Sequence, residues 1–305
     1  MRDAINVAIL GAGRIGKIHA RLFQSLGANV VAILSSTKDN ANRAARELQR
    51  EYGLSVKPFW NLTDILCSPI DAVSICTPPF LHYDHILASF EQGLAVFCEK
   101  PLFWSNDSYN ETRKKLNHLK SHRNRKLFMN ISNSLFIDKI CERAPKPDEV
   151  KSFYFQFNTN GKNRKFNILI DLLPHGISLL HRFFGSRSVT NIDYQFSSYN
   201  AIIEFYYGIC SIKFDFQQKE DYPKKFFFRI NNNEYLRIQE DRDDSYHVFI
   251  QDINNNDKIE LDDPFRIYIS EFLEYCSDNP VIKEDKFEEA EINLNLMNNL
   301  LHKRL

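Results

Sequence analysis

The first glycine-rich turn of the chain constrains its fold most strongly. A strand-like apolar run at 5–10 leads into Gly11, Gly13 and Gly16, spaced G-x-G-x-x-G, and then into a helical pattern at 15–26. The first glycine permits a tight turn, the second lets the backbone approach a pyrophosphate, and the third lets helix and strand pack closely. The N–H groups that begin the helix then attract the phosphates. In this βαβ context the spacing predicts dinucleotide binding rather than a bare structural turn.

The alternation of strand and helix patterns continues to about residue 125. Further strand-like runs occur at 29–34, 72–77 and 94–99, with helical patterns between them. Strands that alternate with helices at this spacing imply right-handed crossovers and a parallel sheet. We therefore predict an α/β fold whose first domain, residues 1–125, is a Rossmann domain with a doubly wound parallel sheet.

A different pattern begins near residue 150. Runs rich in Phe, Tyr and Ile alternate apolar with polar positions and are interrupted by Gly, Asn and Asp. This alternation is typical of a mostly antiparallel sheet with one face in water. Helical patterns occur at 168–183, 264–277 and 286–303. The prediction is a second α/β domain, residues 126–305, for substrate binding and oligomerisation, whose open sheet is mostly antiparallel. Its C-terminal helix is a candidate to pack back on the first domain.

Composition excludes several classes of function. Lys plus Arg and Asp plus Glu are balanced at 39 each, so bulk charge predicts neither a nucleic acid nor an anionic membrane as partner. The basic run at 112–126 is typical of a solvated helix face. No apolar run approaches the ~18 residues of a membrane span, and the N-terminus has no signal-peptide pattern, so we expect a cytoplasmic protein. The six cysteines lack metal-finger spacing, and we predict no metal site.

The residues after the second strand bear on the choice of dinucleotide. An acidic residue there chelates the ribose hydroxyls of NAD and repels a 2′-phosphate. This chain instead has Ser35, Ser36, Thr37 and Lys38, and Asp39 follows too late in the sequence. Hydroxyl groups followed by a cation suit a phosphate better than a bare diol. We therefore predict NADP(H) in preference to NAD(H).

Three motifs together resemble one enzyme family. The glycine motif is followed by SPIDAVSICTPPFLHYDHILASFEQGLAVFCEKPL at 68–102 and by DLLPHGISLLHRFFG at 171–185. This series resembles the Gfo/Idh/MocA oxidoreductases, the glucose–fructose oxidoreductase and inositol dehydrogenase family. The resemblance implies a Rossmann domain followed by an α/β domain on an open antiparallel sheet. It further implies an active site in the cleft between the two domains, and a homodimer or homotetramer formed through the sheet face.

The resemblance also implies roles for the charged residues of these motifs. Lys100 of the Glu-Lys-Pro motif would reach the nicotinamide and the substrate hydroxyl, and in relatives the bond before Pro101 is often cis. The Asp-x-x-x-His signature corresponds to Asp171 and His175, whose spacing puts them on one helix face. His175 would accept the hydroxyl proton as general base while hydride leaves to the nicotinamide. Asp171 and Lys100 would orient the sugar.

The loop after the third long strand is expected to line the cofactor through Thr77 and Pro78. His82, at the start of the next helix, fits a capping or packing role better than a chemical one. The complete set of predicted cofactor contacts is Gly11, Gly13, Arg14, Ile15, Gly16, Ser35, Ser36, Thr37, Lys38, Thr77, Pro78, His82, Glu99 and Lys100.

The second signature departs from the family pattern. Pro174 lies between Asp171 and His175, where a helix interior does not normally accept proline. Two interpretations are open: the helix starts near Asp171, which serves as its N-cap, or the local geometry is unusual. In addition, MNISNSLFID at 129–138 replaces an arginine-containing segment of the relatives.

A basic loop precedes this signature at 160–166. It is typical either of a contact for an anionic substrate, such as a sugar phosphate, nucleotide sugar or sugar acid, or of a solvated loop. Its candidate substrate contacts are Lys162, Arg164 and Lys165.

The leading hypothesis is an NAD(P)-dependent oxidoreductase. It would transfer hydride between the nicotinamide and a hydroxyl or keto carbon of a sugar-like substrate. In one alternative this substrate is anionic. NADPH-dependent imine reduction and a non-catalytic NADP-binding sensor are the alternatives. The presence of Lys100, Asp171 and His175 favours an enzyme, since a sensor needs only the phosphate-binding turn.

Overall fold

The computed structural model describes residues 4–105, 107–122, 126–141, 144–220, 224–242, 245–277 and 284–302. The chain forms two compact units. The first unit contains residues 1–130 and 265–291, and the second contains residues 131–264 and 292–305. The sequence analysis placed a domain boundary at 125/126, a few residues ahead of this division.

The first unit is built on a six-stranded parallel sheet, as predicted for a Rossmann domain. Its order is β3-β2-β1-β4-β5-β6, so the winding reverses between β1 and β4. In open α/β sheets, ligands bind at the carboxyl ends of the strands beside such a reversal. Helices on both faces bury the central strands, which explains their uninterrupted apolar sequences. The strands are β1 (Asn6–Leu10), β2 (Asn29–Leu34), β3 (Lys57–Phe59), β4 (Ala72–Ile75), β5 (Ala95–Cys98) and β6 (Leu127–Met129).

Five helices connect these strands, and their ends follow ordinary capping rules. The helices are α1 (Arg14–Ser25), α2 (Lys38–Tyr52), α3 (Leu62–Leu66), α4 (Pro79–Glu91) and α5 (Tyr109–Ser121). The basic run at 112–126 lies mostly on α5, and its residues 123–125 lie outside the described residues. The start of α5 is a capping box, in which Ser108 and Glu111 each bind the other's backbone N–H.

The second unit is built on an eight-stranded sheet, which confirms the predicted mostly antiparallel architecture. Its order is β14-β13-β12-β11-β7-β10-β9-β8, and only the β7–β10 pair is parallel. The strands are β7 (Ser152–Thr159), β8 (Val189–Phe196), β9 (Asn200–Tyr207), β10 (Cys210–Gln218), β11 (Lys225–Ile230), β12 (Asn233–Arg242), β13 (Ser245–Asp252) and β14 (Asp257–Leu261).

Helix packing covers one face of this second sheet. The helices of the region are α6 (Leu135–Ile140), preceded by a 3₁₀ turn at Ser132–Ser134, and α7 (Phe166–Phe184). Strand β10 shows the resulting alternation, since Phe214 and Phe216 are fully buried while Lys213 and Asp215 are partly exposed. The alternation that predicted one wet face therefore describes this sheet correctly.

The chain closes with α8 (Pro264–Tyr275) and α9 (Phe287–His302). From residue 265 on, α8 belongs to the first unit, and Phe272 makes edge-to-face contacts with Phe23, Phe97 and Phe128. Aromatic pairs of this geometry contribute ~0.5–1.5 kcal/mol each beyond the area they bury. A C-terminal helix thus completes the core of the first unit.

Helix α7 resolves the ambiguity around Pro174. It begins at Phe166, after Lys165 as N-cap, so Asp171 is an interior residue and the N-cap interpretation is wrong. Pro174 lies inside the helix and cannot donate to the carbonyl one turn earlier. Its own carbonyl accepts a hydrogen bond from Asn293 Nδ2 at 2.9 Å. The unusual local geometry is therefore a proline accommodated within a long helix.

Across the described ranges, none of the helices combines the length and the apolar character needed to cross a bilayer.

The packing of α7 against β10 gives a stability prediction. A Cβ added to Gly176 would lie 2.7 Å from the Phe214 ring, which is fully buried and has no room to move aside. We expect Gly176→Ala to lower the free energy of unfolding by about 1–3 kcal/mol, because overpacking a core is destabilising. Urea denaturation measures this. Asn167→Ala, at an exposed position of the same helix, is the control and should change stability little; equal losses in both variants would contradict the packing argument.

Candidate functional site

The turn between β1 and α1 leaves no room for side chains at two of its glycines. Gly11 has φ +118°, and a Cβ there would lie 2.6 Å from the carbonyl carbon and oxygen of Cys76. A Cβ on Gly16 would lie 1.8 Å from the carbonyl oxygen of Gly11. Backbone therefore packs directly on backbone where β1, α1 and the end of β4 meet.

The same turn is open on its other side. Gly13 is the N-cap of α1, no side chain caps the helix there, and a Cβ on Gly13 would meet nothing within 4 Å. Arg14 and Ile15 are exposed in the first turn of the helix. Open backbone N–H groups at a helix N-terminus, with free space before them, fit the pyrophosphate of a dinucleotide.

The residues after β2 lie at the carboxyl edge of the sheet. Thr37 caps α2, because its Oγ1 accepts the N–H of Asn40 at 3.2 Å. Ser36 and Lys38 are exposed, and Lys38 Nζ lies 5.2 Å from the ring centroid of Trp60, which follows β3. The sequence analysis did not single out Trp60, because its exposure and its contact with Lys38 are visible only in the structure. Ser35 is half-buried, and its N–H bonds to the carbonyl of Phe59.

The loop after β4 is held by two histidines. Thr77 Oγ1 lies 3.1 Å from His85 Nδ1, and Pro78 is exposed at the start of α4. The imidazole of His82 is fully buried, with its nitrogens 2.7 Å from the Thr77 carbonyl and 2.9 Å from the Pro101 carbonyl. His82 thus joins the Thr-Pro loop to the Glu-Lys-Pro loop, which is the geometry of a packing residue.

Burial determines the charge state of these two histidines. Desolvation, with a contribution from nearby His82, lowers the pKa of His85 to about 4. Desolvation also lowers the pKa of His82, against the raising effect of its hydrogen bonds to backbone. The ring of His85 is therefore neutral near pH 7.

The carboxylate of Glu99, at the end of β5, points into a buried polar network. Its Oε1 accepts hydrogen bonds from His19 Nε2 at 2.9 Å and Asn130 Nδ2 at 2.6 Å. His19 Nδ1 lies 2.7 Å from Ser74 Oγ, and the ring is fully buried. The next peptide bond, Lys100–Pro101, is cis, as the resemblance implies.

The His19–Glu99 pair is ionised. Burial alone lowers the pKa of His19, but the Cys76 sulfur and the hydrogen-bonded Glu99 carboxylate outweigh it and raise that pKa to about 10. Burial alone raises the pKa of Glu99, but the hydrogen bond and charge of His19, with smaller effects of Lys100 and Asn130, lower it to about 2. A buried ion pair thus fixes the residue next to Lys100.

Sequence reasoning missed every partner of Glu99. For His19 a signal existed, since it lies three residues after Gly16 on the buried face of α1, where a polar residue requires a partner. Asn130 follows β6, and parallel pairing of β5 with β6 places it beside the end of β5. That placement depends on a strand of three residues that the sequence pattern does not reveal.

In the second unit, Asp171 and His175 lie on one face of α7, as their spacing predicts. Asp171 Oδ2 accepts hydrogen bonds from Gln218 Nε2 at 2.5 Å and Asn163 Nδ2 at 3.2 Å. His175 is partly exposed, and its Nδ1 lies 2.9 Å from Asn133 Nδ2. Each residue is therefore oriented by side-chain amides that the sequence analysis did not single out.

The basic loop before α7 makes mainly local contacts. Arg164 donates to the carbonyls of Gly161 and Asn163 and stacks 4.5 Å from the Tyr199 ring centroid. Lys162 is exposed and lies 3.5 Å from Glu220, while Lys165 is the N-cap of α7 with φ +52°. An anion-binding role for these three residues stays a prediction.

The structure thus gathers the predicted residues of each unit at one place within that unit. The first unit brings the glycine turn, the Thr-Pro loop and the Glu-Lys-Pro loop to the carboxyl edge of its parallel sheet. The second unit presents Asp171 and His175 on α7. The convergence of Lys100 with His175 stays a prediction.

Comparison with known proteins agrees with the Rossmann fold of the first unit. Residues 5–130 match the model of the oxidoreductase family with an NAD-binding Rossmann fold. Over residues 5–130 the chain is therefore similar to the Gfo/Idh/MocA oxidoreductases, which supports the resemblance that its motifs carry.

Curated relatives match over the same region. An inositol 2-dehydrogenase of Rhizobium meliloti (strain 1021) is 38% identical over 98 residues, which is 32% of this chain and 28% of that protein. A scyllo-inositol 2-dehydrogenase (NAD(+)) of Bacillus subtilis (strain 168) is 40% identical over 104 residues, 33% of this chain and 29% of that protein. The matched segment thus spans less than a third of these relatives.

Solved structures show the fold of the whole chain. The myo-inositol 2-dehydrogenase from Lactobacillus plantarum superposes with a TM-score of 0.70 and 16% identity, covering 98% of this chain and 96% of that one. A levoglucosan dehydrogenase, in complex with NADH and levoglucosan, gives a TM-score of 0.71 and 14% identity, covering 99% and 97%. At these identities the likeness establishes the two-unit fold alone.

The buried ion pair gives a prediction about pH. His19, with its raised pKa, stabilises the fold fully below about pH 6.5 and loses this effect as pH rises towards 10. Glu99, with its lowered pKa, stabilises fully above about pH 4.5 and loses this effect as pH falls towards 2. The contribution of the pair is therefore largest between about pH 4.5 and 6.5.

We expect His19→Gln to lower the free energy of unfolding by about 3–5 kcal/mol near pH 5.5, because it leaves a buried carboxylate without its counter-charge. The difference from the wild type should shrink steadily towards pH 10. Urea denaturation at several pH values measures it, with His118→Gln on the exposed face of α5 as control. A difference that stays constant with pH would contradict the charged pair.

Proposed function

We propose that the protein is an NAD(P)-dependent oxidoreductase that transfers hydride between a nicotinamide and a hydroxyl or keto carbon of a sugar-like substrate. The observation that carries the proposal is the turn at 11–16. Its backbone leaves no room for a side chain at Gly11 or Gly16. The turn leads into the N-terminus of α1, which no side chain caps. The curated relatives are inositol 2-dehydrogenases, which supports a polyhydroxylated ring as the substrate class.

The residues of the first unit suit the parts of such a cofactor. The glycine turn and the start of α1 would hold the pyrophosphate, and Thr77 and Pro78 would line the path towards the nicotinamide. The cofactor, when bound, supplies the hydride donor or acceptor. Lys100, next to the anchored Glu99, would hold the substrate oxygen, with Asp171 and His175 as the polar groups of the second unit.

A preference for NADP(H) is part of the proposal. Ser36 and Lys38 are exposed at the carboxyl end of β2, and the cation of Lys38 suits a 2′-phosphate. The relatives and neighbours differ in this respect, since the Bacillus subtilis relative is named for NAD(+) and one neighbour was solved with NADH. The proposed preference therefore rests on the residues that follow β2 in this chain.

The proposal extends to the assembly and to the charge of the substrate. The second sheet exposes large apolar residues at its β9 end, Tyr206 at 43% and Ile209 at 62% exposure, which suits pairing with a second copy of the chain. Lys162, Arg164 and Lys165 are the predicted contacts for an anionic substituent on the substrate.

The role of Lys100 is tested by separating binding from turnover. We expect Lys100→Ala to lower turnover at least about 100-fold while the dissociation constant for NADPH changes less than about threefold, because the ammonium acts on the substrate oxygen. NADPH absorbance with a panel of keto-inositols and keto sugars measures turnover, and protein fluorescence measures binding.

Lys114→Ala, on the exposed face of α5, is the matched control and should retain full activity. Binding of NADPH by the wild type with no turnover on any member of the panel would favour a sensor over an enzyme. Failure to bind either dinucleotide would overturn the proposal.

The choice of cofactor is tested by removing one charge. We expect Lys38→Ala to weaken NADPH binding about 5–30-fold and to leave NADH binding within about twofold, since a charge-assisted contact to phosphate contributes ~1–2 kcal/mol. Titration with each dinucleotide measures this. Arg46→Ala removes the same charge from an exposed position further along α2 and is the control. A clear preference of the wild type for NADH would contradict the NADP(H) assignment.

A further inference from the structure

The contact between Asn133 and His175 determines which ring nitrogen of the histidine can carry a proton. Asn133 lies in the 3₁₀ turn at Ser132–Ser134, and its Nδ2 is 2.9 Å from His175 Nδ1. An amide nitrogen carries two hydrogens and accepts no hydrogen bond. Nδ1 of His175 must therefore be the acceptor, and in the neutral ring the proton resides on Nε2.

The direction of the Asn133 amide is supported by a second contact. Arg237 Nη1 donates to Asn133 Oδ1 at 3.4 Å. A flipped amide would point its NH₂ group at a guanidinium, which has only donors and keeps its charge at all ordinary pH values. The flipped orientation would also place a carbonyl oxygen against Nδ1. One orientation therefore satisfies both neighbours of the amide, and the other opposes the arginine.

Arg237 itself is held firmly. Its guanidinium lies over three aromatic rings, 4.8 Å from the centroid of Phe226, 5.7 Å from Phe136 and 6.0 Å from Phe157. The ring of Phe157 also packs edge-on against His175, with centroids 5.2 Å apart. The arginine, the amide and the imidazole thus form one ordered polar row beside a wall of phenylalanines.

We infer that Asn133, oriented by Arg237, is a positioning residue that keeps the proton of neutral His175 on Nε2. His175 then offers the substrate oxygen a hydrogen bond from Nε2–H. It differs from the general base that the resemblance implies, because a base needs a nitrogen lone pair facing the hydroxyl proton. The catalytic meaning of this inference rests on the proposed function, whereas the position of the proton does not.

The assignment changes the chemistry expected of His175. An N–H at Nε2 stabilises negative charge that develops on a substrate oxygen, as a fixed donor does in an oxyanion hole. His175 keeps this proton in both directions of the reaction.

The position of the proton is measurable without any substrate. Nitrogen-15 NMR of the uniformly labelled 305-residue chain distinguishes a protonated ring nitrogen from one with a lone pair, and His175→Gln identifies the His175 signals. We expect a lone-pair signal from Nδ1 and a protonated signal from Nε2 once the ring is neutral. A protonated Nδ1 in the neutral wild-type ring would overturn the inference.

Asn133→Asp tests the cause. A carboxylate accepts where the amide donated, so the proton should move to Nδ1 and the lone-pair signal of Nδ1 should be lost. Asn191→Asp makes the same chemical change at an exposed position of β8 and should leave the His175 signals unchanged. Retention of the wild-type pattern in Asn133→Asp would overturn the role of Asn133. Arg237→Met should give a mixture of both neutral forms.

These outcomes are separable from those of the proposed function. A lone-pair Nδ1 together with a failure to bind NADPH would leave the proton assignment intact and remove the oxidoreductase. Binding and turnover together with a protonated Nδ1 would support the oxidoreductase and overturn the proton assignment.

Discussion

The buried ion pair of His19 and Glu99 joins the elements on which the first-unit site depends. His19 belongs to α1, the helix that begins at the glycine turn, and Glu99 directly follows β5 and precedes Lys100. Two charges buried together lose several kcal/mol of hydration each, and a well-packed apolar pair is often as stable. The pair is therefore poorly explained as a source of stability. Its effect is geometric, since it fixes the Glu-Lys-Pro loop relative to α1.

Hydrophobic periodicity and glycine chemistry predicted much of this architecture. The G-x-G-x-x-G motif predicted the first turn. Apolar runs and regular alternation of apolar and polar residues predicted the longer strands of both sheets. Strands β3 and β6 escaped detection because three residues are too few to show a period. The start of α7 was ambiguous for a different reason, because Pro174 is a local signal against a helix and the buried apolar face of α7 overrides it.

Residues of the candidate site could be predicted from the sequence only where the backbone requires a particular residue type or where a motif contains the residue. Gly11 and Gly16 are required by backbone contact, and Lys100, Asp171 and His175 follow from motif resemblance. The amides of Asn130 and Asn133 could not be predicted, since asparagine is common in loops and only tertiary pairing shows which partner it orients. Both belong to a segment that departs from the family pattern, so resemblance gave no guidance there.

Each of these two amides donates a hydrogen bond to a titratable side chain. Asn130 donates to Glu99 within the first unit, and Asn133, three residues later, donates to His175 within the second. An amide is a suitable choice for both positions, because it stays uncharged at every pH and its donor and acceptor ends differ. It can therefore hold a carboxylate ionised in one place and reserve a ring nitrogen as acceptor in the other. Replacing either amide by a carboxylate would reverse the direction of donation, which is why Asn→Asp, usually a mild change, is here the most informative one.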